Sequence, residues 1–244
     1  MQRSIKAAPT LIYPETDGKP MAETDTHRKF MMAFIQMLED HFQNDKDVYI
    51  SGNLMMYYVQ GDPKQCVSPD VFVVFGVGKK ARNTYKTWEE GHTPDFVLEV
   101  SSRSTYQHNL SGKKHLYAET LAVQEYFIYD PSGQIAVAFT GFHLVDGTYR
   151  EIEPVNERLP SAVLGLELGE REGSLGLYNP DIEQWLLTPD ERVKQANKYV
   201  QQEAQARRNA EVQAQQEAQA RRNAEAELAR ALAEIERLRS GSKD

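Results

Sequence analysis

The stretch "TPDFVLEVSS", residues 93–102, decides how the centre of this chain folds. Four of the five residues from 96 to 100 are apolar, as expected of a buried strand, but Glu99 lies among them. Burying an unpaired carboxylate costs free energy, because the protein interior cannot replace its hydration. The strand therefore either has a solvated face or keeps Glu99 for a charged partner.

Strand alternation places Asp95, Val97, Glu99 and Ser101 on one face of this predicted strand. Three of these four residues are polar, so we expect this face to border a cleft. Asp95 and Glu99 are nevertheless about 13 Å apart along an extended strand, at about 3.3 Å per residue. They cannot both bind one ion directly, and Glu99 needs a carboxylate partner from another strand.

Asp70 is the best candidate for that partner. It opens the preceding predicted strand in "SPDVFVVFG", residues 68–76, and pairing of the two strands could bring it beside Glu99. Two converging carboxylates are hard oxygen ligands that suit Mg²⁺, with Mn²⁺ as a possible substitute. Such an ion can activate water and stabilise charge on a phosphodiester, and a nearby lysine would position or deprotonate that water.

The order of the predicted elements indicates an α/β fold, with a mixed sheet flanked by helices. Apolar residues at helical spacing predict a first helix within residues 21–42, with its N-cap at Thr24, Asp25 or Thr26. Strands follow, then a crossover helix from about 109 to 120, then the strand "VQEYFIYD" and a hairpin through "PSGQ". Further strands and a segment containing Trp185 close a domain that we assign to residues 1–188.

Residues 189–244 form a different kind of segment. The sequence "QQEAQARRNAE" occurs at 201–211 and again at 215–225, a period of two heptads that is typical of a long supercoiling helix. We expect residues 190–239 to form a homo-oligomer, with a dimer favoured. Charged residues nevertheless interrupt the row of apolar residues that would lie between the helices. A single solvated helix is the alternative, and the order and polarity of the oligomer stay open.

Charge and composition exclude some classes of protein. The net charge is −8, and because 11 basic and 10 acidic residues lie from Pro189 onward, residues 1–188 carry about −9. This argues against a broad non-specific coat on nucleic acid, which requires clustered cations. No apolar run is long enough to span a membrane. A single cysteine, Cys66, suits a reducing compartment and predicts a cytoplasmic protein.

The ordered segments "SPDVFVVFG", "TPDFVLEVSSRST" and "NLSGKKHLYAETLAVQEYFIYDP" together resemble the Uma-type restriction endonucleases. This is a bacterial family within the PD-(D/E)xK nuclease superfamily, and the resemblance covers roughly residues 10–180. It implies a restriction-endonuclease-like fold and a Mg²⁺-dependent endonuclease that hydrolyses phosphodiester bonds of DNA. Many nucleases of the superfamily act as dimers, so the tail could pair two sites that address two strands.

The resemblance also assigns the site residues. It makes Asp70 the metal-binding aspartate of the PD motif and Glu99 its acidic partner. The superfamily's lysine is expected two residues after Glu99, where this chain has Ser101. In the family a lysine lies four residues before a tyrosine on the following helix, and Lys113 with Tyr117 matches that pattern.

Several alternatives remain at this point. Pro94-Asp95 is a competing Pro-Asp pair, but no acidic-x-lysine element follows it, so Asp95 is expected to support the site or cap its strand. His27 matches a histidine of the family's first helix and is a second supporting candidate, as is Ser101. Helical phase alone does not separate Lys113 from Lys114. An inactive nuclease-like scaffold, oligomerised through the tail, is the alternative function.

Overall fold

The computed structural model describes residues 11–16, 24–103, 105–135 and 137–240, without the side chains of 238–240. Parts of both predicted segments, residues 1–10, 17–23 and 241–244, therefore lie outside the described residues. The chain divides into two compact units, Met1–Pro189 and Asp190–Asp244.

The first unit opens with helix α1, Asp25–His41. Its N-cap is Thr24, whose hydroxyl accepts a hydrogen bond from the amide of His27 at 3.2 Å and so satisfies one orphan donor of the first turn. The helix buries a stripe that includes Phe30, Phe34 and Leu38, as the apolar spacing predicts.

A six-stranded mixed sheet forms the centre of this unit. Its six strands are β1 Val48–Ser51, β4 Val71–Phe75, β6 Phe96–Val100, β7 Glu125–Tyr129, β8 Phe139–Val145 and β9 Thr148–Glu151. They lie in the order β1-β4-β6-β7-β8-β9, in which β6 and β7 are parallel and every other neighbouring pair is antiparallel.

A crossover helix connects the two parallel strands. It consists of α3, Tyr106–His108, and two π-helical segments, Asn109–Lys113 and Leu116–Thr120. A parallel pair requires such a crossover, because a tight turn can join only antiparallel neighbours. The helix begins three residues earlier than the sequence predicts.

Smaller elements surround the central sheet. A three-stranded sheet combines β2 Met56–Tyr57, β3 Cys66–Val67 and β5 Tyr85–Lys86, and the short helix α2, Thr87–Glu90, follows β5. A four-stranded antiparallel sheet combines β10 Arg158–Ser161, β11 Leu166–Arg171, β12 Ser174–Asn179 and β13 Gln184–Trp185. The predicted mixed α/β fold is confirmed.

Both faces of the central sheet are buried around β4, β6 and β7. Leu98 lies in a core that includes α1 and the four-stranded sheet, whereas Val97 packs in a second core that contains Tyr117 and Leu121 of the crossover helix. All five residues of β6 are buried, Glu99 included. The expectation of a polar strand face along a cleft is therefore wrong for most of its length, because the crossover helix covers it.

The second unit consists of the long helix α4, Pro189–Ser240, of 52 residues. Every side chain from Arg192 to Arg237 is exposed in the single chain. Among the residues that the structure describes, no helix combines the length and the apolar character needed to cross a membrane.

Candidate active site

The edge at which β4 begins and β6 ends brings Asp70 and Glu99 together. Val71 pairs with Leu98 in the antiparallel ladder, so the next position of the same register sets Asp70 opposite Glu99. The backbone is also tightly packed here, because a Cβ on Gly52 would lie 2.0 Å from the carbonyl oxygen of Asp70. The absence of a side chain at Gly52 thus lets the chain after β1 lie directly against Asp70.

Glu99 is 1% exposed and has two partners on the crossover helix. Its Oε2 accepts a hydrogen bond from Lys113 Nζ at 2.7 Å, and its Oε1 accepts one from the Tyr117 hydroxyl at 2.6 Å. Burial raises the pKa of Glu99 to about 7; the charge of Lys113 opposes this shift, and the charge of Asp70 adds to it. Glu99 is thus a partnered buried carboxylate close to its titration point at neutral pH.

Asp70 is held by the backbone of the neighbouring strand. Its Oδ2 accepts a hydrogen bond from the amide of Val100 at 2.7 Å, and its Oδ1 lies 3.6 Å from Nε2 of His27. Burial by itself would raise the pKa of Asp70, but His27, Lys113 and the Val100 amide outweigh it, and this pKa is lowered. Asp70 is therefore ionised at neutral pH, with one oxygen anchored by the strand.

Lys113 is the lysine that reaches the carboxylates. Besides its bond to Glu99, its ammonium donates to the carbonyl oxygen of Ser68 at 3.4 Å. Burial would lower its pKa, but the charges of Glu99 and Asp70 prevail and raise it. Lys114 instead lies 3.5 Å from the centre of the Phe142 ring. Of the two lysines, the structure brings Lys113 to the acidic pair.

A cavity of about 630 Å³ opens over this cluster. Its lining includes Asp70, Glu99 and Lys113. Polar residues of α1, the loop after β6, the crossover helix and the loop after β7 complete it: Thr26, His27, Ser101, Ser102, Thr105, Asn109, Ser132 and Gln134. The loop is held by the buried Asp130, which accepts hydrogen bonds from the amides of Ser132, Gln134 and Ile135 at 2.6–2.8 Å. The cavity is therefore rich in neutral hydrogen-bonding groups around a charged centre.

The donor set fits a hard divalent cation. Asp70 and Glu99 supply carboxylate oxygens at one edge of the cavity, and Mg²⁺ is commonly held by one or two carboxylates plus water and substrate phosphate. Within the described residues, no group of three or more His, Cys, Asp and Glu side chains could hold a metal by itself. Two protein carboxylates would leave coordination positions of such a cation for other ligands.

The three supporting candidates have different positions. His27 lies beside Asp70 in the cavity, and the buried Ser101 hydroxyl accepts a hydrogen bond from the Asn109 side chain at 2.7 Å. Asp95 lies at the other end of β6, where its Oδ2 accepts a hydrogen bond from the amide of Phe75 at 2.8 Å. Asp95 therefore caps a strand, and the length of β6 separates it from Glu99.

Sequence reasoning used Tyr117 as part of a pattern and missed its contact with Glu99. Tyr117 is fully buried and lies between the crossover helix and β6. A tyrosine placed four residues after a lysine, facing a strand that carries an isolated buried acid, was the available signal. A buried hydroxyl needs a partner, and Glu99 was the buried acceptor nearby.

Fold and site together define a class of protein. A mixed α/β domain that carries two carboxylates and a lysine at one strand edge has the arrangement of a nuclease-like hydrolase. The chain belongs to the Uma2 family, described as "Putative restriction endonuclease", whose model matches residues 11–171. The predicted family is therefore confirmed.

The chain was also compared with curated proteins and with solved structures. No curated protein matches this chain. A solved structure described as "a putative nuclease belonging to DUF820", from Anabaena variabilis, is similar at 17% identity with a TM-score of 0.43. That similarity covers 62% of this chain and 81% of the other chain.

Proposed function

We propose that this protein is a Mg²⁺-dependent endonuclease that hydrolyses phosphodiester bonds of DNA. The observation that carries the proposal is the 2.7 Å contact between Lys113 Nζ and Glu99 Oε2, with Asp70 opposite Glu99, at the edge of an open polar cavity. Membership of a restriction endonuclease family supports nuclease chemistry. The DNA substrate and the metal dependence are parts of the proposal.

Asp70 and Glu99 are the proposed metal ligands, and Mn²⁺ is expected to replace Mg²⁺. A divalent cation held there would supply Lewis-acid stabilisation for the negative charge that develops on the phosphate oxygens. Each carboxylate is already oriented by the protein, Asp70 by the Val100 amide and Glu99 by the Tyr117 hydroxyl. Such preorganisation avoids the cost of reorienting the ligands during the reaction.

Lys113 is proposed to orient the attacking water and to stabilise charge on the phosphate. Its ammonium has three N–H donors, and two of them are directed to Glu99 and to the Ser68 carbonyl. The raised pKa of Lys113 keeps it protonated at neutral pH, which favours donation of hydrogen bonds over removal of a proton from water.

Neutral donors around the cavity are proposed to hold the phosphate backbone of the substrate. Ser102 and Thr105 lie where the chain leaves β6, and Ser132 and Gln134 lie on the loop that Asp130 stabilises. Hydroxyl, amide and backbone N–H groups commonly bind phosphates without reading the base sequence. Local contacts of this kind can bind DNA even though residues 1–188 carry net negative charge.

A catalytically inactive scaffold is the second candidate function. The acidic charge of residues 1–188 favours it, because non-specific affinity for DNA depends mainly on clustered cations. In both candidates the exposed helix α4 is proposed to join two copies of the chain, since a long helix with a heptad pattern is stabilised by packing against another helix.

Incubation of supercoiled plasmid with the purified protein, with and without Mg²⁺ or Mn²⁺, tests the proposal. We expect metal-dependent nicking that Asp70→Asn and Glu99→Gln each abolish, while circular dichroism shows that both variants remain folded. If neither metal supports cleavage of the plasmid, or of an RNA incubated in the same way, the scaffold is the better function. Cleavage that survives both substitutions would refute the assignment of the site.

A further inference from the structure

Helix α4 carries two parallel rows of residues spaced by seven, all exposed in the single chain. The first row consists of Val193, Val200, Arg207, Ala214, Arg221, Leu228 and Ile235. The second row, three positions later, consists of Ala196, Glu203, Ala210, Glu217, Ala224 and Ala231. Rows spaced in this way occupy the a and d positions when a helix joins a coiled coil, and here two arginines lie in one row and two glutamates in the other.

A parallel, in-register pair of these helices would bring like charges together. Each seam residue would then face its own copy, so Arg207 would meet Arg207 and Glu217 would meet Glu217. The same conflict occurs at Arg221 and Glu203. Four layers in the middle of the helix pair would therefore place like charges against each other. The only seam residues between these charged layers are two alanines, Ala210 and Ala214.

An antiparallel pair removes the conflict, because residues of the first row then face residues of the second row. In the register that sets Arg207 level with Glu217 of the second copy, Arg221 lies level with Glu203 of that copy. By symmetry, all four charged residues of each helix have partners of opposite sign. The layers on either side then pair a larger apolar residue with alanine: Val193 with Ala231, Val200 with Ala224, and Leu228 with Ala196.

The two registers shifted by one heptad are less favourable than this one. Sliding the second copy by one heptad sets Glu217 opposite Val200 in one direction, and Glu203 opposite Leu228 in the other. Both shifts place a carboxylate against an apolar residue and leave the arginines facing alanine. Within the single helix, Arg207 and Arg221 also contact Glu211 and Glu225 at 3.3 and 3.0 Å. Those pairs are compatible with the proposed ones, since an arginine has five N–H donors.

We propose that α4 joins two copies of this chain as an antiparallel pair, with Arg207 facing Glu217 and Arg221 facing Glu203 across the seam. The inference rests on the proposed self-association and adds its direction and register. Pro189 of one copy then lies level with residue 235 of the other, so the two helix starts are about 69 Å apart at about 1.5 Å per residue.

Disulfide trapping tests the direction in full-length protein carrying Cys66→Ser. Variants Val193→Cys and Ala231→Cys are each oxidised alone and as an equimolar mixture, then separated by non-reducing electrophoresis. We expect a cross-linked dimer from the mixture only, because two copies of residue 193 lie about 57 Å apart in the antiparallel pair. Cross-linking of Val193→Cys alone would overturn the antiparallel arrangement.

Charge reversal tests the register, with sedimentation as the readout. Replacing Arg207 and Arg221 by Glu should weaken the dimer about tenfold or more, since every charged layer becomes repulsive. Adding Glu203→Arg and Glu217→Arg to that variant should restore the dimer. In a parallel pair each of these residues would face its own copy, so neither set of changes would alter the number of repulsive layers. The matched control is Arg208→Glu with Arg222→Glu, which alters the same charge outside the seam. A wild-type monomer would overturn both the self-association and its direction, while leaving the proposed nuclease activity intact.

Discussion

Removal of one hydroxyl, by Tyr117→Phe, should change how the site binds metal as a function of pH. The Tyr117 hydroxyl donates to Glu99 Oε1 at 2.6 Å and favours the ionised carboxylate. A hydrogen bond to a charged group contributes about 1.5–3 kcal/mol, and 1.36 kcal/mol corresponds to about one pKa unit. Because protonated Glu99 can still hydrogen bond, we expect its pKa to rise by about one unit in the variant.

The sign of the effect follows from the ionisation of Glu99. Metal binding requires the carboxylate, and a higher pKa leaves less carboxylate at any pH below it. With a pKa of about 7 in the wild type, Glu99 is half ionised at pH 7. A rise of about one unit should lower the apparent Mg²⁺ or Mn²⁺ affinity about fivefold at pH 7 and hardly at all at pH 9.5.

Isothermal titration calorimetry with Mn²⁺ between pH 6 and pH 9.5 measures this shift. The matched control is Tyr126→Phe, since Tyr126 is a buried neighbour whose hydroxyl donates to the backbone carbonyl of Asn109 at 3.0 Å. We expect the control to lose stability without changing the pH profile of metal binding. Equal profiles for wild type and Tyr117→Phe, or the same shift in both variants, would refute the reasoning.

Three further predictions concern Asp70, Glu90 and Gly52. Asp70→Asn should weaken Mn²⁺ binding at least about tenfold at every pH tested, because it removes the charge of a carboxylate that is ionised throughout this range. Unchanged Mn²⁺ affinity would exclude Asp70 as a ligand. The paired Arg82 lowers the pKa of Glu90 to about 2. Glu90 should therefore stabilise the fold by up to about 3 kcal/mol above pH 4.5, and this contribution should be lost as the pH falls toward 2. Urea unfolding at pH 7 and pH 3 should therefore show a smaller acid loss in Glu90→Gln than in the wild type, and equal losses would contradict this. Gly52→Ala should cost about 1–3 kcal/mol in the same measurement, because its Cβ would collide with the Asp70 carbonyl; an unchanged free energy of unfolding would show that the backbone yields there.

The sequence predicts the acidic pair well, because strand pairing is a regular arrangement. The rise of about 3.3 Å per residue separates Asp95 from Glu99 by about 13 Å along the strand, and pairing of the two short apolar strands left Asp70 as the candidate partner of Glu99. The burial of Glu99 could not be predicted in the same way. It depends on the crossover helix, which covers the face of β6 that the alternation marks as polar.

The choice between Lys113 and Lys114 shows where helical periodicity fails. The argument from phase assumes 3.6 residues per turn, but the crossover helix is π-helical from Asn109 to Lys113 and again from Leu116 to Thr120. The wider turns rotate the side chains relative to a regular α-helix, so the phase of the sequence does not report their direction. Resemblance to the family favoured Lys113, and the geometry brings the same residue to Glu99.

Comparison of Lys113→Met with Lys114→Met in one plasmid-cleavage assay tests the central claim most directly. Both variants remove one ammonium from adjacent positions, but one ammonium contacts Glu99 and the other the Phe142 ring. With Mg²⁺ in excess, we predict that Lys113→Met slows cleavage at least about 100-fold, while Lys114→Met cleaves at the wild-type rate. Equal rates for the two variants would contradict the assignment of Lys113 as the lysine of a nuclease site.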